Sequence, residues 1–133
     1  KLTSRPKAKA ALLCPVDGII SEVGNIQQGR LIQAKRRTYT LQSLLHLERD
    51  EAALWEGGQF ITLYLSPKDY HRIHMPLTGT VTKVHYIPGR LFSVKPATAR
   101  TIPNLFSQNE RVTVQFSTAF GNIVMVLVGA TVV

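Results

Sequence analysis

Short β-rich runs, nearly all closed by glycine or proline, are the feature that most restricts the fold of this chain. Gly18-Ile19-Ile20-Ser21-Glu22-Val23-Gly24 is bounded by glycines, and Leu31-Ile32-Gln33-Ala34 follows a Gln27-Gln28-Gly29-Arg30 turn. Gln59 to Leu65 is a third run. Gly79 to Ile87 is a fourth, with Val81, Val84 and Tyr86 in partial alternation before the Pro88-Gly89 turn. Arg111 to Ser117 and Asn122 to Val128 read as a hairpin around Thr118-Ala119-Phe120-Gly121. One window has helical spacing: Leu41, Leu44, Leu45 and Leu47 lie behind Thr40, a good N-cap. The cluster Glu48-Arg49-Asp50-Glu51 is expected to split that window, and Gly57-Gly58 to end it. The stretch from Leu91 to Glu110 reads as irregular, with Pro96, Pro103, Asn104 and Asn109; its Phe92, Leu105 and Phe106 need burial. The fold class expected is mostly β (α+β): one domain over residues 1–133, barrel-like or sandwich-like, with a helical excursion near residues 41–55.

Composition supports a packed domain. The chain has 133 residues, 44% hydrophobic and 18% charged, which suits a globular core rather than a disordered chain. No run reaches the roughly 18 apolar residues of a membrane-spanning helix. Ile123 to Val128 is β-branched and short, so it reads as a buried strand. Pro6 argues for an extended N-terminal arm over residues 1–13. Cys14 is the one cysteine, so no internal disulfide forms; between an apolar run and Pro15 it reads as a small core residue rather than a thiolate nucleophile. Sixteen basic against eight acidic residues leave a net charge of +8, concentrated at Lys1, Arg5, Lys7 and Lys9 and at Lys35-Arg36-Arg37. That balance suits either a polyanionic partner or a well-solvated face. The aromatic-basic pattern of RNA-binding modules is missing, and no nucleic-acid partner is expected.

Chemistry concentrates in Leu65-Ser66-Pro67-Lys68-Asp69-Tyr70-His71-Arg72-Ile73-His74-Met75-Pro76. His71 and His74 stand three apart between two prolines, with an acid and a base beside them. Imidazole titrates near neutral pH and suits proton transfer. A metal site is one reading, but three-residue spacing puts both rings on one face only in a helix, and zinc needs a third ligand. Asp17, Asp69, His46 and His85 are available donors with no spacing to favour any, so no metal is assigned. Asp17, in Cys14-Pro15-Val16-Asp17-Gly18, reads as an ordinary turn acid or as the partner of a histidine brought to it by folding. Neither a Gly-x-Ser-x-Gly elbow nor a glycine-rich phosphate loop occurs.

Taken together these segments resemble the phosphatidylserine decarboxylases. Lys1-Leu2-x-x-Arg5-Pro6 is similar to the family's basic leading segment, and Pro15-Val16-Asp17-Gly18-Ile19-Ile20 to its Pro-x-Asp-Gly motif. Ile32-Gln33-Ala34-Lys35 and Tyr39-Thr40-Leu41-x-x-Leu44-Leu45 follow in order. The segment from Tyr64 to Pro76 is the most specific. Pro88-Gly89-Arg90-Leu91-Phe92-Ser93-Val94, Pro103-Asn104-Leu105-Phe106-x-x-Asn109-Glu110-Arg111 and Val128-Gly129-Ala130-Thr131-Val132 complete it.

The resemblance implies a proenzyme that cuts itself at a Gly-Ser bond. The serine becomes a pyruvoyl group at the N-terminus of a small (α) subunit, which converts phosphatidylserine to phosphatidylethanolamine. By the same resemblance, Asp17 and His74 match the acid and base that activate the cleavage serine, and His71 matches the histidine of decarboxylation. Phe92, Ser93 and Val94 are expected to line the substrate pocket. The chain has no Gly-Ser dipeptide; Gly79-Thr80 is the nearest approach. It is therefore expected to be the core of the large (β) subunit, without the family's N-terminal membrane-docking portion or the pyruvoyl-bearing subunit, and inactive alone. Expected partners are the small subunit, phosphatidylserine, an anionic phospholipid membrane and a second heterodimer. The expected location is peripheral, on a bacterial or mitochondrial inner membrane. Two other readings fit the residues: a non-catalytic hybrid-sandwich or phosphocarrier-like module, and a metal-dependent hydrolase using His71 and His74.

Overall fold

The computed structural model describes residues 12–34 and 37–131. Most of the N-terminal arm, with its four basic residues, and Lys35-Arg36 of the basic cluster lie outside the described residues. The strands are β1 (Ile19–Asn25), β2 (Arg30–Ala34), β3 (Arg37–Thr40), β4 (Gln59–Tyr64), β5 (Gly79–Ile87), β6 (Arg111–Thr118) and β7 (Gly121–Val128). The helices are α1 (Leu41–Leu45), α2 (Arg49–Ala53), α3 (Pro96–Thr101) and α4 (Leu105–Gln108). β1 pairs with β4, β2 with β3, and β5-β6-β7 form a three-stranded sheet; all pairs are antiparallel. These sheets do not close into a barrel, so the sandwich-like half of the expectation is the one that fits.

Local chemistry explains where elements begin and end. Thr40 caps α1 as expected, its hydroxyl accepting from Ser43 N at 3.2 Å. His46 ends that helix in the left-handed region, with φ 51°. The helical window therefore breaks at His46-Leu47, ahead of the acid cluster, and Asp50 and Glu51 sit in the first turn of α2, where carboxylates favour the helix dipole. The Gln27–Arg30 turn has positive φ at both central residues, 54° at Gln28 and 68° at Gly29, as in a type I′ turn. Glycine tolerates that conformation; Gln28 is helped by Glu56, whose two carboxylate oxygens accept from Gln28 N at 2.6 Å and Gly29 N at 2.7 Å.

The main core gathers Ile26, Leu31, Tyr39, Leu41, Leu44 and Leu45. Burying α1's three leucines is worth about 1.5–3 kcal/mol each as an upper figure, which holds a helix too short to persist in isolation. A second cluster joins Ala34, Ala99 and Leu105, and Phe106 packs against both. Phe106 meets Tyr39 edge-to-face at 5.7 Å.

Three buried polar residues fasten the helices to the sheets. Gln33 donates to the carbonyls of Ala99 and Ile102 and accepts from Leu105 N. Asn109 donates to the carbonyls of Phe92 and Gly129 and accepts from Phe92 N. Arg111 is 3% exposed and donates to the carbonyls of Ser43, Leu44, Ser107 and Asn109 at 2.8–3.0 Å. Ser43 and Leu44 belong to α1 and Ser107 to α4, so their carbonyls offer the partial negative charge that a buried guanidinium needs.

Several expectations change. The segment from Leu91 to Glu110 carries α3 and α4 rather than remaining irregular, because Pro96 takes the first-turn position, where proline favours a helix. β3 was absent from the strand expectations; its pairing with β2 forms it. Ile123 to Val128 is only half-buried, since among the described residues β7 is the edge of its sheet and pairs with β6 alone. Cys14 is exposed, its thiol donating to the carbonyl of Val16 at 3.1 Å, so it is not a core residue.

Candidate functional site

The histidine segment leaves β4 and crosses to β5 without regular secondary structure. It begins with a self-bonded turn. Asp69 N donates to Ser66 O at 2.9 Å, and Asp69 Oδ2 accepts from Ser66 N at 2.8 Å and Ser66 Oγ at 3.0 Å. These bonds to Ser66 hold the Asp69 carboxyl below its ordinary pKa. His71 then folds back on the turn, its Nδ1 2.6 Å from the carbonyl oxygen of Asp69. Its other nitrogen, Nε2, is buried and has no hydrogen-bond partner among the described residues.

His74 is held by main chain and by a ring. Its N–H donates to Pro15 O at 2.9 Å, and one step along Leu13 N donates to Pro76 O at 2.8 Å. Tyr70 stacks on the His74 ring, with centroids 5.9 Å apart and planes at 22°, and its hydroxyl lies 3.4 Å from His74 Nε2. The rigid Pro15 and Pro76 lie on the two sides of this cross-link, which suits chain that must keep a shape without a ladder.

The same contacts bring the Asp17 loop to the histidines. Asp17 stands two residues beyond Pro15, which holds His74, and one before Gly18. A Cβ at Gly18 would lie 2.6 Å from Tyr64 O, so only glycine allows this approach to the end of β4. From there β1 and β4 pair, Ile19 opposite Tyr64 and Ile20 opposite Leu63. Two cross-links, Pro15 with His74 and Gly18 with Tyr64, thus bracket Asp17. Among the described residues, no group of three or more His, Cys, Asp or Glu side chains is arranged to hold a metal ion.

Phe92, Ser93 and Val94 are held by the second cluster, Asn109 and the start of α3. Phe92 and Val94 pack on the second cluster, Phe92 is pinned on both sides by Asn109, and Ser93 Oγ accepts from Lys95 N at 3.3 Å ahead of α3. Arg90 lies over the Phe92 ring at 5.5 Å. Sequence reading missed Tyr70 as the ring stacked on His74 and the Ser66–Asp69 pair as the anchor of His71. The Ser-Pro-x-Asp spacing was the available signal, since a serine three residues from an aspartate suits a self-bonded turn. Tyr70, Ile73 and Met75 are 42%, 41% and 44% exposed, so the segment turns an apolar surface outward around its histidines.

Comparison with known proteins gives these residues a context. The family model described as phosphatidylserine decarboxylase matches residues 2–133. A Legionella pneumophila protein named phosphatidylserine decarboxylase proenzyme is 53% identical over 129 residues, 97% of this chain and 46% of the relative. Proteins of the same name from Pseudoalteromonas translucida and Dechloromonas aromatica are 56% and 52% identical, over 92% and 98% of this chain and 42% and 46% of their own length. The chain thus spans less than half the length of the curated relatives it matches. Identity at this level over nearly the whole chain is incompatible with a chance likeness of motifs, and the chain belongs to the phosphatidylserine decarboxylase family.

Proposed function

We propose that this chain is the core of the large subunit of a phosphatidylserine decarboxylase and acts with a pyruvoyl-bearing small subunit to form phosphatidylethanolamine. The likeness to proenzymes at more than half identity over nearly the whole chain carries this reading. The buried, unpartnered Nε2 of His71 fits a group on another segment whose chemistry needs a proton carried to and from it. When present, pyruvoyl supplies the carbonyl that takes the substrate amine and accepts the electron pair as carbon dioxide leaves.

Each residue of this chain then has a task. In self-cleavage of the proenzyme, His74 takes the hydroxyl proton of the cleavage serine, and Asp17 orients the ring and stabilises the imidazolium that results. Tyr70 keeps the His74 ring from turning away. In decarboxylation His71 Nε2 carries the proton, and the shell around it excludes water. Phe92, Ser93 and Val94 line the path of the lipid.

The exposed apolar side chains suit a lipid surface and a partner subunit. Val23 and Ile61, paired across β1 and β4, are 63% and 52% exposed; we assign this face to the small subunit. The net charge of +8 favours peripheral attachment to an anionic bacterial or mitochondrial inner membrane, and no helix among the described residues is long and apolar enough to cross one. Two such heterodimers associate in the complete enzyme.

The test separates the histidines in the full proenzyme. His74→Ala is expected to stall self-cleavage by about 10²–10⁴-fold, with uncut precursor accumulating, and Asp17→Ala to do the same less completely. His71→Ala is expected to cut normally and turn over lipid poorly. Blocked cleavage in His71→Ala with normal cleavage in His74→Ala reverses the assignment.

A further inference from the structure

We propose that the Ser66–Asp69 turn locks the tautomer of His71: the Asp69 carbonyl holds the ring proton on Nδ1, so that Nε2 presents its lone pair to the reaction. The inference rests on His71 as the proton carrier of decarboxylation, and it makes Asp69 and Ser66 positioning residues for that step.

Three observations carry it. A carbonyl oxygen can only accept, so the 2.6 Å contact with Asp69 O requires Nδ1 to be the donor. In a neutral imidazole the other nitrogen is then an acceptor, and here it is buried with its lone pair unused. The carbonyl is not free to swing, because the Asp69 side chain accepts from both Ser66 N and Ser66 Oγ while Asp69 N donates back to Ser66 O. The turn therefore encodes the tautomer through one main-chain oxygen, with the carboxylate acting one step removed.

The proton balance is simple. Nε2 takes a proton from the substrate ammonium, which frees the amine lone pair for the carbonyl of the partner subunit. Nε2 then gives a proton to the carbon that has lost carbon dioxide. The ring ends as it began: the carbonyl oxygen would leave as one water on condensation, one water would restore it on product release, and one proton from solvent would complete the product ammonium, the net proton uptake that loss of a carboxylate as carbon dioxide requires. The opposite tautomer puts a donor where an acceptor is needed and stops the first transfer.

The test reads the ring directly. Full proenzyme is labelled with ¹⁵N-histidine, and two-bond proton–nitrogen correlation assigns the His71 tautomer before any substrate is added. Wild type is expected to show Nδ1–H alone; an Nε2–H resonance overturns the proposal. Asp69→Ala is expected to give a mixture and to lower kcat on phosphatidylserine in mixed micelles about 10–100-fold with little change in KM. Asp69→Asn keeps one acceptor oxygen and is expected to restore most of both. Should Asp69→Ala fail to fold, Ser66→Ala removes only the 3.0 Å hydroxyl bond and is expected to shift the ring in the same direction by less. An unchanged Nδ1–H ring in either folded variant overturns the positioning role. A shifted ring with undiminished turnover leaves the lock standing and sinks the role given to His71.

Discussion

Two regions of this molecule hold irregular chain in place, and they treat their polar side chains in opposite ways. Around Arg111, Asn109 and Gln33 every side-chain nitrogen and oxygen is matched to a main-chain partner, and the three residues are no more than 3% exposed. Around His71 one nitrogen is buried and has no partner among the described residues. An unmet buried polar group costs about 1–3 kcal/mol, so folding alone gives no reason to keep one. The contrast fits the proposal that the Arg111 region serves the fold and the His71 turn serves chemistry. The side chains of Arg111, Asn109 and Gln33 are closed on the main chain, although Ser107 Oγ beside Arg111 and His85 Nδ1 are, like His71 Nε2, buried without a hydrogen-bond partner among the described residues. The His71 turn keeps a vacant hydrogen-bonding position, and its neighbours Tyr70, Ile73 and Met75 stay half open to solvent.

The sharpest way to break this contrast is Arg111→Ala in the full proenzyme. It strands four carbonyls and unties α1 and α4 from β6, with an expected loss of about 3–5 kcal/mol in denaturant unfolding. Turnover per folded molecule is expected to stay near wild type. A fall in specific turnover as large as that of His71→Ala means that the two regions are not separable.

Tyr39 extends the comparison with pH. Burial pushes its phenol up to about 12, with a hydrogen bond to Thr62 pulling weakly the other way. Because the folded value lies above the ordinary 10, this contribution is complete below pH 10 and is lost as pH rises through about 12. Two units correspond to about 2–3 kcal/mol. Unfolding measured from pH 8 to 11.5 is expected to weaken above 10 in wild type and to lose that limb in Tyr39→Phe. Equal slopes in the two proteins remove Tyr39 from the stabilising half of the contrast.

The smallest expected effect lies in the site itself. The bonds from Ser66 lower the Asp69 pKa, so its contribution to the turn is present above the ordinary carboxylate value of about 4 and fades as pH falls through the lower folded one. The Ser66 amide resonance is expected to move through a single acid transition that Asp69→Asn abolishes. A transition that survives in Asp69→Asn belongs to another group.

Where local chemistry decides, sequence sufficed. The Thr40 cap, the Gln27–Arg30 turn and the β6-β7 hairpin were all legible, because each depends on residues within a few positions, whereas α2 ends at Ala53, ahead of the Gly57-Gly58 stop expected from sequence. Long-range partnership was not legible. β3 exists through its ladder with β2, and α4 starts where Gln33, far back in the chain, accepts from Leu105 N. The contact of Pro15 with His74 that brings the Asp17 loop to the histidines has no trace in spacing, since loop closure is indifferent to what lies between its ends. The sequence alone determined which imidazole and carboxylate side chains this segment offers. Tertiary structure decided which nitrogen of His71 carries the proton, because that depends on the direction of one carbonyl, and only the folded turn sets that direction.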